Sequence, residues 1–362
     1  TVQIATGVSA PPTVVFTASE FDDGDDYITT SFIKECQYLT ALNAQRSQYT
    51  LKASQPIAQC KRRRLRAESH SHTGIAVRPA TSRDDEEGEY LTIIMIQGHA
   101  FHSGAMTRML EMAPSLGYRF ICPNRGLYPG STPYTKDETG VFQPGRPIEE
   151  ARVLITGWSL GAGFLSAMVC SLKSVEEPLG VLTVLYTYSD PPSPVYGVPD
   201  PPTGGWAPLF DKTLTIEERQ IAFGDWVVQY FPHPNIEEKN PRNLIYKNAT
   251  QTKAKTYADL PPAKFLEMAD FTAGDKGDSV FGEKEFARIG RVMWDLTFFN
   301  AETRRAWQDV QLGVIYGEES TWTVVWEVWR LEMEAMEKGM PVRCIGMPGV
   351  NHFGQGDRLT EV

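Results

Sequence analysis

The stretch RVLITGWSLGAGFLSAMVCSL, residues 152–172, constrains this chain more than any other. RVLIT is a short apolar run of strand length, and FLSAMVCSL is an apolar run suited to a helix. Between them, Ser159 stands two residues from Gly157 and two from Gly161. A strand that turns sharply into a helix here strains the serine backbone, and the two glycines remove side chains that would clash. The hydroxyl then stands above the sheet edge at the N-terminus of the helix. The peptide N–H of Leu160 points at any negative charge that forms beside it. A glycine-rich loop with no chemistry is the bland alternative; the complete strand–turn–helix context favours a nucleophile.

Other apolar runs repeat the strand signal: GIAVRP (74–79), YLTIIMIQG (90–98), YRFICPN (118–124), LGVLTVLYTY (179–188), DVQLGVIYG (309–317) and PVRCIGMPG (341–349). Several are continuous rather than alternating, as in strands buried on both faces of a parallel sheet. Helical stretches intervene near 104–115, 160–174 and 322–339. The alternation predicts an α/β fold with a mainly parallel central sheet flanked by helices. Residues 191–300 break the rhythm with DPPSPVYGVPDPP followed by aromatic-rich helical stretches. They read as a helical cap inserted into a core of residues 73–190 and 301–362, preceded by an N-terminal extension over 1–72 with a helix near 31–44. One connection is awkward. A parallel sheet needs a crossover helix before RVLIT, yet the segment available carries Gly140, Pro144, Gly145 and Pro147. It reads as a truncated crossover, or as one that lacks residues between 138 and 150.

Charge and cysteine content exclude several function classes. A net charge of −10 disfavours nucleic acid and anionic membranes as partners, and the basic run KRRRLR at 61–66 reads as a solvated face. The five cysteines, Cys36, Cys60, Cys122, Cys170 and Cys344, are scattered without a CxxC pair, so neither a disulfide framework nor a zinc site is expected. The absence of a secretion signal and of any long apolar run leads to an expectation of a cytoplasmic protein without a membrane span. The sequon at Asn248 is then without consequence.

A serine hydroxyl needs a base to take its proton. Of six histidines, His352 alone lies in a loop after the last strand-like run, in GVNHFGQGD, and it follows Ser159 in chain order as this fold class requires. His70, His72 and His233 carry no assigned role. The acid that orients the imidazole is expected after the preceding strand, VIYGEES, at Glu318 in preference to Glu319; Asp190, which ends TYSD, is a further alternative. A second oxyanion donor is expected from QGHAFHSG, where Gly98 permits close approach and the N–H of His99 or Ala100 points inward. His99 and His102 lack metal-binding neighbours, so neither a metal nor a cofactor is expected.

The ordered pieces AVRPA (76–80), QGHAFHSG (97–104), PNRGLYPGSTPY (123–134), GWSLGAG (157–163), YSDPPSPVYG (188–197) and GVNHFG (349–354) resemble the α/β-hydrolase superfamily. The likeness is specifically to fungal proteins of the α/β hydrolase fold-1, toxin-biosynthesis-like kind. The resemblance implies a nucleophile at Ser159, a base at His352, an oxyanion loop at Gly98 and His99, and a cap over the site. Gln97 stands where many relatives carry histidine. The activity implied is hydrolysis of an ester, lactone or thioester of an apolar small molecule. Acyl transfer or cyclisation at the same site, and a ligand-binding protein on a hydrolase fold, are the alternatives. Trp158, Trp226 and Trp294 are the expected pocket aromatics.

Overall fold

The structure is a computed structural model that describes residues 2–5, 13–16, 77–79, 91–131, 152–172, 183–247, 249–278, 281, 284–306 and 311–357. Strands β1 (Val2–Ala5) and β2 (Thr13–Phe16) pair as an antiparallel hairpin. The remaining seven form one sheet: β3 (Val77–Pro79), β4 (Leu91–Ile96), β5 (Tyr118–Pro123), β6 (Arg152–Trp158), β7 (Thr183–Ser189), β8 (Gln311–Gly317) and β9 (Arg343–Met347). Their spatial order is β3-β5-β4-β6-β7-β8-β9, with β3 antiparallel to β5 and every other pair parallel. This is a parallel sheet with one reversed edge strand, the arrangement of the α/β-hydrolase fold. The expected helix at 31–44, the basic run, the awkward crossover and Asn248 lie outside the described residues.

Nine α-helices among the described residues frame the sheet and the β7–β8 insertion, the last of them closing the described chain. They are α1 (Thr107–Met112), α2 (Gly161–Leu172), α3 (Ile216–Val227), α4 (Pro262–Leu266), α5 (Phe271–Asp278), α6 (Lys284–Trp294), α7 (Ala301–Ala306), α8 (Trp322–Glu337) and α9 (Gly354–Asp357). The insertion contributes α3 through α7. Helix α3 starts where the sequence TIEE provides a capping box. The Thr215 hydroxyl accepts from the Glu218 N–H at 3.2 Å, and the Glu218 carboxylate accepts from the Thr215 N–H at 2.8 Å. Helix α6 packs on α2, so the insertion rests on the helix that follows Ser159. Among the described residues no helix is long and apolar enough to cross a membrane.

Register decides what the sheet presents. Trp158 pairs with Ser189, Ser189 with Ile315, and Gly317 with Met347. Ser159 and Asp190 therefore leave neighbouring strands side by side, while β8 runs two residues further before it turns. The loops after β6, β7, β8 and β9 meet at this one edge, the carboxyl end where open α/β sheets place their sites.

Candidate active site

Only Ser159 and Leu160 separate the end of β6 from the start of α2. Ser159 has a φ of 54°, the left-handed region that costs a non-glycine residue roughly 1–2 kcal/mol. Its N–H is held by the Ser189 carbonyl at 2.8 Å. A Cβ at position 157 would sit 2.5 Å from the Gly161 carbonyl oxygen, and one at position 161 would collide with the Ile96 carbonyl. Both glycines are therefore sterically required by the turn. The serine is buried, at 7% exposure.

His352 stands in the loop after β9 and is buried. The Trp158 indole N–H donates to the His352 carbonyl at 3.0 Å, and the two rings lie 5.4 Å apart. The preceding Asn351 pins the loop: its amide donates to the Val228 carbonyl and to the Thr256 hydroxyl, each at 2.9 Å, while its Oδ1 accepts from the Phe353 N–H. The base is thus anchored both to the residue before the serine and to the insertion.

The carboxylate beside His352 is Asp190. Its Oδ1 lies 3.9 Å from His352 Nδ1, and the Ser320 hydroxyl sits between them, 3.3 Å from Nδ1 and hydrogen-bonded to Asp190. Asp190 has a φ of 48° and accepts from the Gly317 N–H at 3.1 Å. Glu318 and Glu319, expected from the sequence, go elsewhere. Glu318 is half-buried with its carboxylate against Gly346, and Glu319 pairs with Lys253 at 2.6 Å. The register accounts for the difference: β8 runs two residues beyond its pairing with the end of β7, and of the turn that follows it is Ser320, not Glu318 or Glu319, that reaches the imidazole beside Asp190. Burial pushes Asp190 up to about 8, against the opposing effect of the Gly317 and Ser320 hydrogen bonds. Burial pushes His352 down to about 3. Both groups favour their neutral forms.

Two peptide N–H groups are the expected oxyanion donors. Those of Leu160 and His99 donate to no acceptor among the described residues. The N–H of Ala100, the other expected donor, is already committed to the Tyr128 hydroxyl at 2.9 Å. Gly98 lies so close that a Cβ there would stand 2.9 Å from Ser159 Cβ. His99 and His102 turn to different partners: His99 Nδ1 lies 3.4 Å from Asp278, and His102 Nδ1 accepts from the Gly104 N–H at 3.1 Å.

The aromatic expectations need revision. Trp294 is wholly enclosed among Tyr196, Phe298 and Phe299, with its indole N–H on Glu334 at 3.1 Å, and is a core residue. Trp226 is buried within the insertion, donating to the Tyr246 carbonyl at 2.8 Å, and Trp158 is buried against His352. A ring of the insertion, Phe223, lies edge-on to His99 at 5.5 Å. Sequence reading passed over Ser320, Arg125, Tyr128 and Asp278. An arginine two residues past an apolar strand, in PNRGLY, was the available signal.

Several solved structures are similar to this chain at low identity. An esterase from Exiguobacterium antarcticum is 13% identical, over 77% of this chain and 89% of its own, with a TM-score of 0.41. A bromoperoxidase from Bacillus anthracis is 12% identical, over 77% and 88%, with a TM-score of 0.41. The N-acyl homoserine lactonase AidH, complexed with N-butanoyl homoserine, is 15% identical, over 77% and 86%, again at 0.41. No protein-family model and no curated protein sequence matches the chain. Likeness this weak adds nothing to the geometry, which alone carries the functional reading.

Proposed function

We propose that this protein is a serine hydrolase that cleaves a carboxylic ester, lactone or thioester of an apolar small molecule. The observation that carries the reading is Ser159, held at φ 54° between strand and helix, with a buried imidazole and a buried carboxyl on the adjoining loops. Ser159 Oγ attacks the carbonyl carbon while His352 Nε2 takes its proton. The Leu160 and His99 N–H groups hold the oxyanion. His352 returns the proton to the leaving group, and water attacks the acyl-enzyme by the same route in reverse.

Asp190, acting with the Ser320 hydroxyl, serves as the acid in place of Glu318. Its work is to hold the Nδ1–H tautomer and to offset the positive charge that forms on the ring. Phe223 over the oxyanion loop supports an apolar substrate, and the motif set shared with the fungal toxin-biosynthesis-like proteins supports a secondary-metabolite ester. In this reading residues 191–300 form a cap over the site.

Labelling with a fluorophosphonate probe tests the reading. Wild type should be labelled on Ser159, and Ser159→Ala should not. A folded wild type that resists labelling and hydrolyses none of a panel of p-nitrophenyl esters, lactones and thioesters would overturn it.

A further inference from the structure

One carboxylate of the insertion is linked to three consecutive residues of the loop after β4, to His99 directly and to Gly98 and Ala100 through Arg125 and Tyr128. Asp278, at the end of α5, grips Arg125 with both oxygens, Oδ1 to Nη1 at 2.6 Å and Oδ2 to Nη2 at 2.9 Å. Arg125 Nη2 also donates to the Gly98 carbonyl at 2.9 Å. The Tyr128 hydroxyl donates to Asp278 Oδ2 at 2.6 Å and accepts from the Ala100 N–H at 2.9 Å. The His99 ring completes the set, with Nδ1 3.4 Å from Oδ2. Asp278 and Arg125 are both buried, with side chains 2% exposed.

The consequence follows from peptide geometry. The Gly98 carbonyl and the His99 N–H belong to the same peptide unit, which is planar and trans. The guanidinium that fixes the carbonyl therefore aims the N–H in the opposite direction. A charge-assisted bond on that carbonyl also polarises the N–H and makes it a stronger donor. Ala100, next in the chain, is held at a φ of 61°, and the Tyr128 hydroxyl that satisfies its N–H keeps it there.

We propose that the insertion assembles the oxyanion hole through Asp278, a positioning residue that acts on the His99 N–H by way of Arg125 and Tyr128. The proposal rests on the serine-hydrolase reading above. It makes catalytic competence conditional on docking of the insertion: an insertion lifted from the core withdraws the carboxylate, and the Gly98–His99 peptide loses its anchor. The arrangement needs no contact between Asp278 and substrate.

The test compares two inhibitors that share an acyl chain. A trifluoromethyl ketone adds to Ser159 and places an oxyanion in the hole; the plain methyl ketone binds without doing so. Asp278→Asn should lower kcat on a p-nitrophenyl ester about 100-fold, the scale of a lost or misaimed oxyanion donor, with KM little changed. Its affinity for the trifluoromethyl ketone should fall in parallel while that for the methyl ketone holds. A merely structural defect would weaken both inhibitors together, and that result, or wild-type behaviour toward both, overturns the proposal. If Asp278→Asn does not fold, Tyr128→Phe decides. It retains the Arg125–Asp278 ion pair, removes the hydroxyl that links Asp278 to the Ala100 N–H, and should show the same selective loss at about tenfold. Wild type that forms no covalent adduct with the trifluoromethyl ketone would instead refute the serine-hydrolase reading itself.

Discussion

Adding one methyl group at Gly98 tests how closely its loop approaches the serine. A Cβ there would stand 2.9 Å from Ser159 Cβ, 3.3 Å from Ser159 Oγ and 3.3 Å from Trp158 Cε3. Carbon atoms pack best at about 3.5–4.0 Å, so the Cβ–Cβ pair falls short by about 0.6–1.1 Å. Neither neighbour has room to yield. Trp158 is enclosed by Phe101 and Phe353 and tied to the His352 carbonyl, and the Ser159 backbone is fixed by the turn. Gly98 itself lies outside the left-handed region, so the penalty is steric rather than conformational. Overpacking of this kind costs about 1–3 kcal/mol of stability. The larger effect falls on the chemistry, because a displacement of about 1 Å at a reacting atom lowers turnover on the order of 100-fold. Gly98→Ala should therefore fold, melt a few degrees lower, and react with a fluorophosphonate about 100 times more slowly than wild type. Labelling at the wild-type rate, in a protein whose melting point is unchanged, would refute the close approach of this loop to Ser159.

Asp190→Asn should lower kcat on an ester by orders of magnitude while Glu318→Gln and Glu319→Gln stay near wild type; impairment confined to Glu318→Gln would restore the acid read from sequence. Asp190 also sets a pH dependence. Its folded value of about 8 lies above its ordinary 3.8, so between the two the folded chain holds a proton that the unfolded chain has released, and stability falls as pH rises. His352, lowered to about 3 from 6.5, acts in the opposite sense and has finished doing so by pH 6.5. From there to pH 8 wild type should lose about 2 kcal/mol relative to Asp190→Asn while its kcat/KM rises, and parallel denaturation curves for the two proteins would contradict this. Glu327, buried in α8, has no hydrogen-bond partner on either carboxyl oxygen among the described residues, and burial holds it well above the ordinary carboxylate range. Glu327→Met should stabilise the protein by about 1–3 kcal/mol, measured by urea denaturation at neutral pH; a lower midpoint would mean that the carboxyl makes a compensating interaction.

What could be read from the residues alone was local. The run RVLIT, the two glycines and the apolar stretch after them describe a strand, a turn and a helix, because each is limited by backbone sterics within a few neighbours. The long apolar runs separated by helical stretches likewise describe a parallel sheet, since strands covered on both faces must be apolar throughout. Chain order pointed to His352, because a loop after the last strand opens onto the same sheet edge as the serine. The partner of that imidazole was not legible. Asp190 and Glu318 each follow a strand, and the choice between them rests on a two-residue difference in where β7 and β8 end, which exists only once the strands are in register. Arg125 and Asp278 are 153 residues apart, and nothing near either announces the other. Trp294 and Trp226 are aromatic in a region where a pocket was expected, but which face of a helix is covered depends on what packs against it. Backbone geometry is decided by neighbours in sequence, whereas the meeting of side chains is decided by the packing of elements that are distant in it.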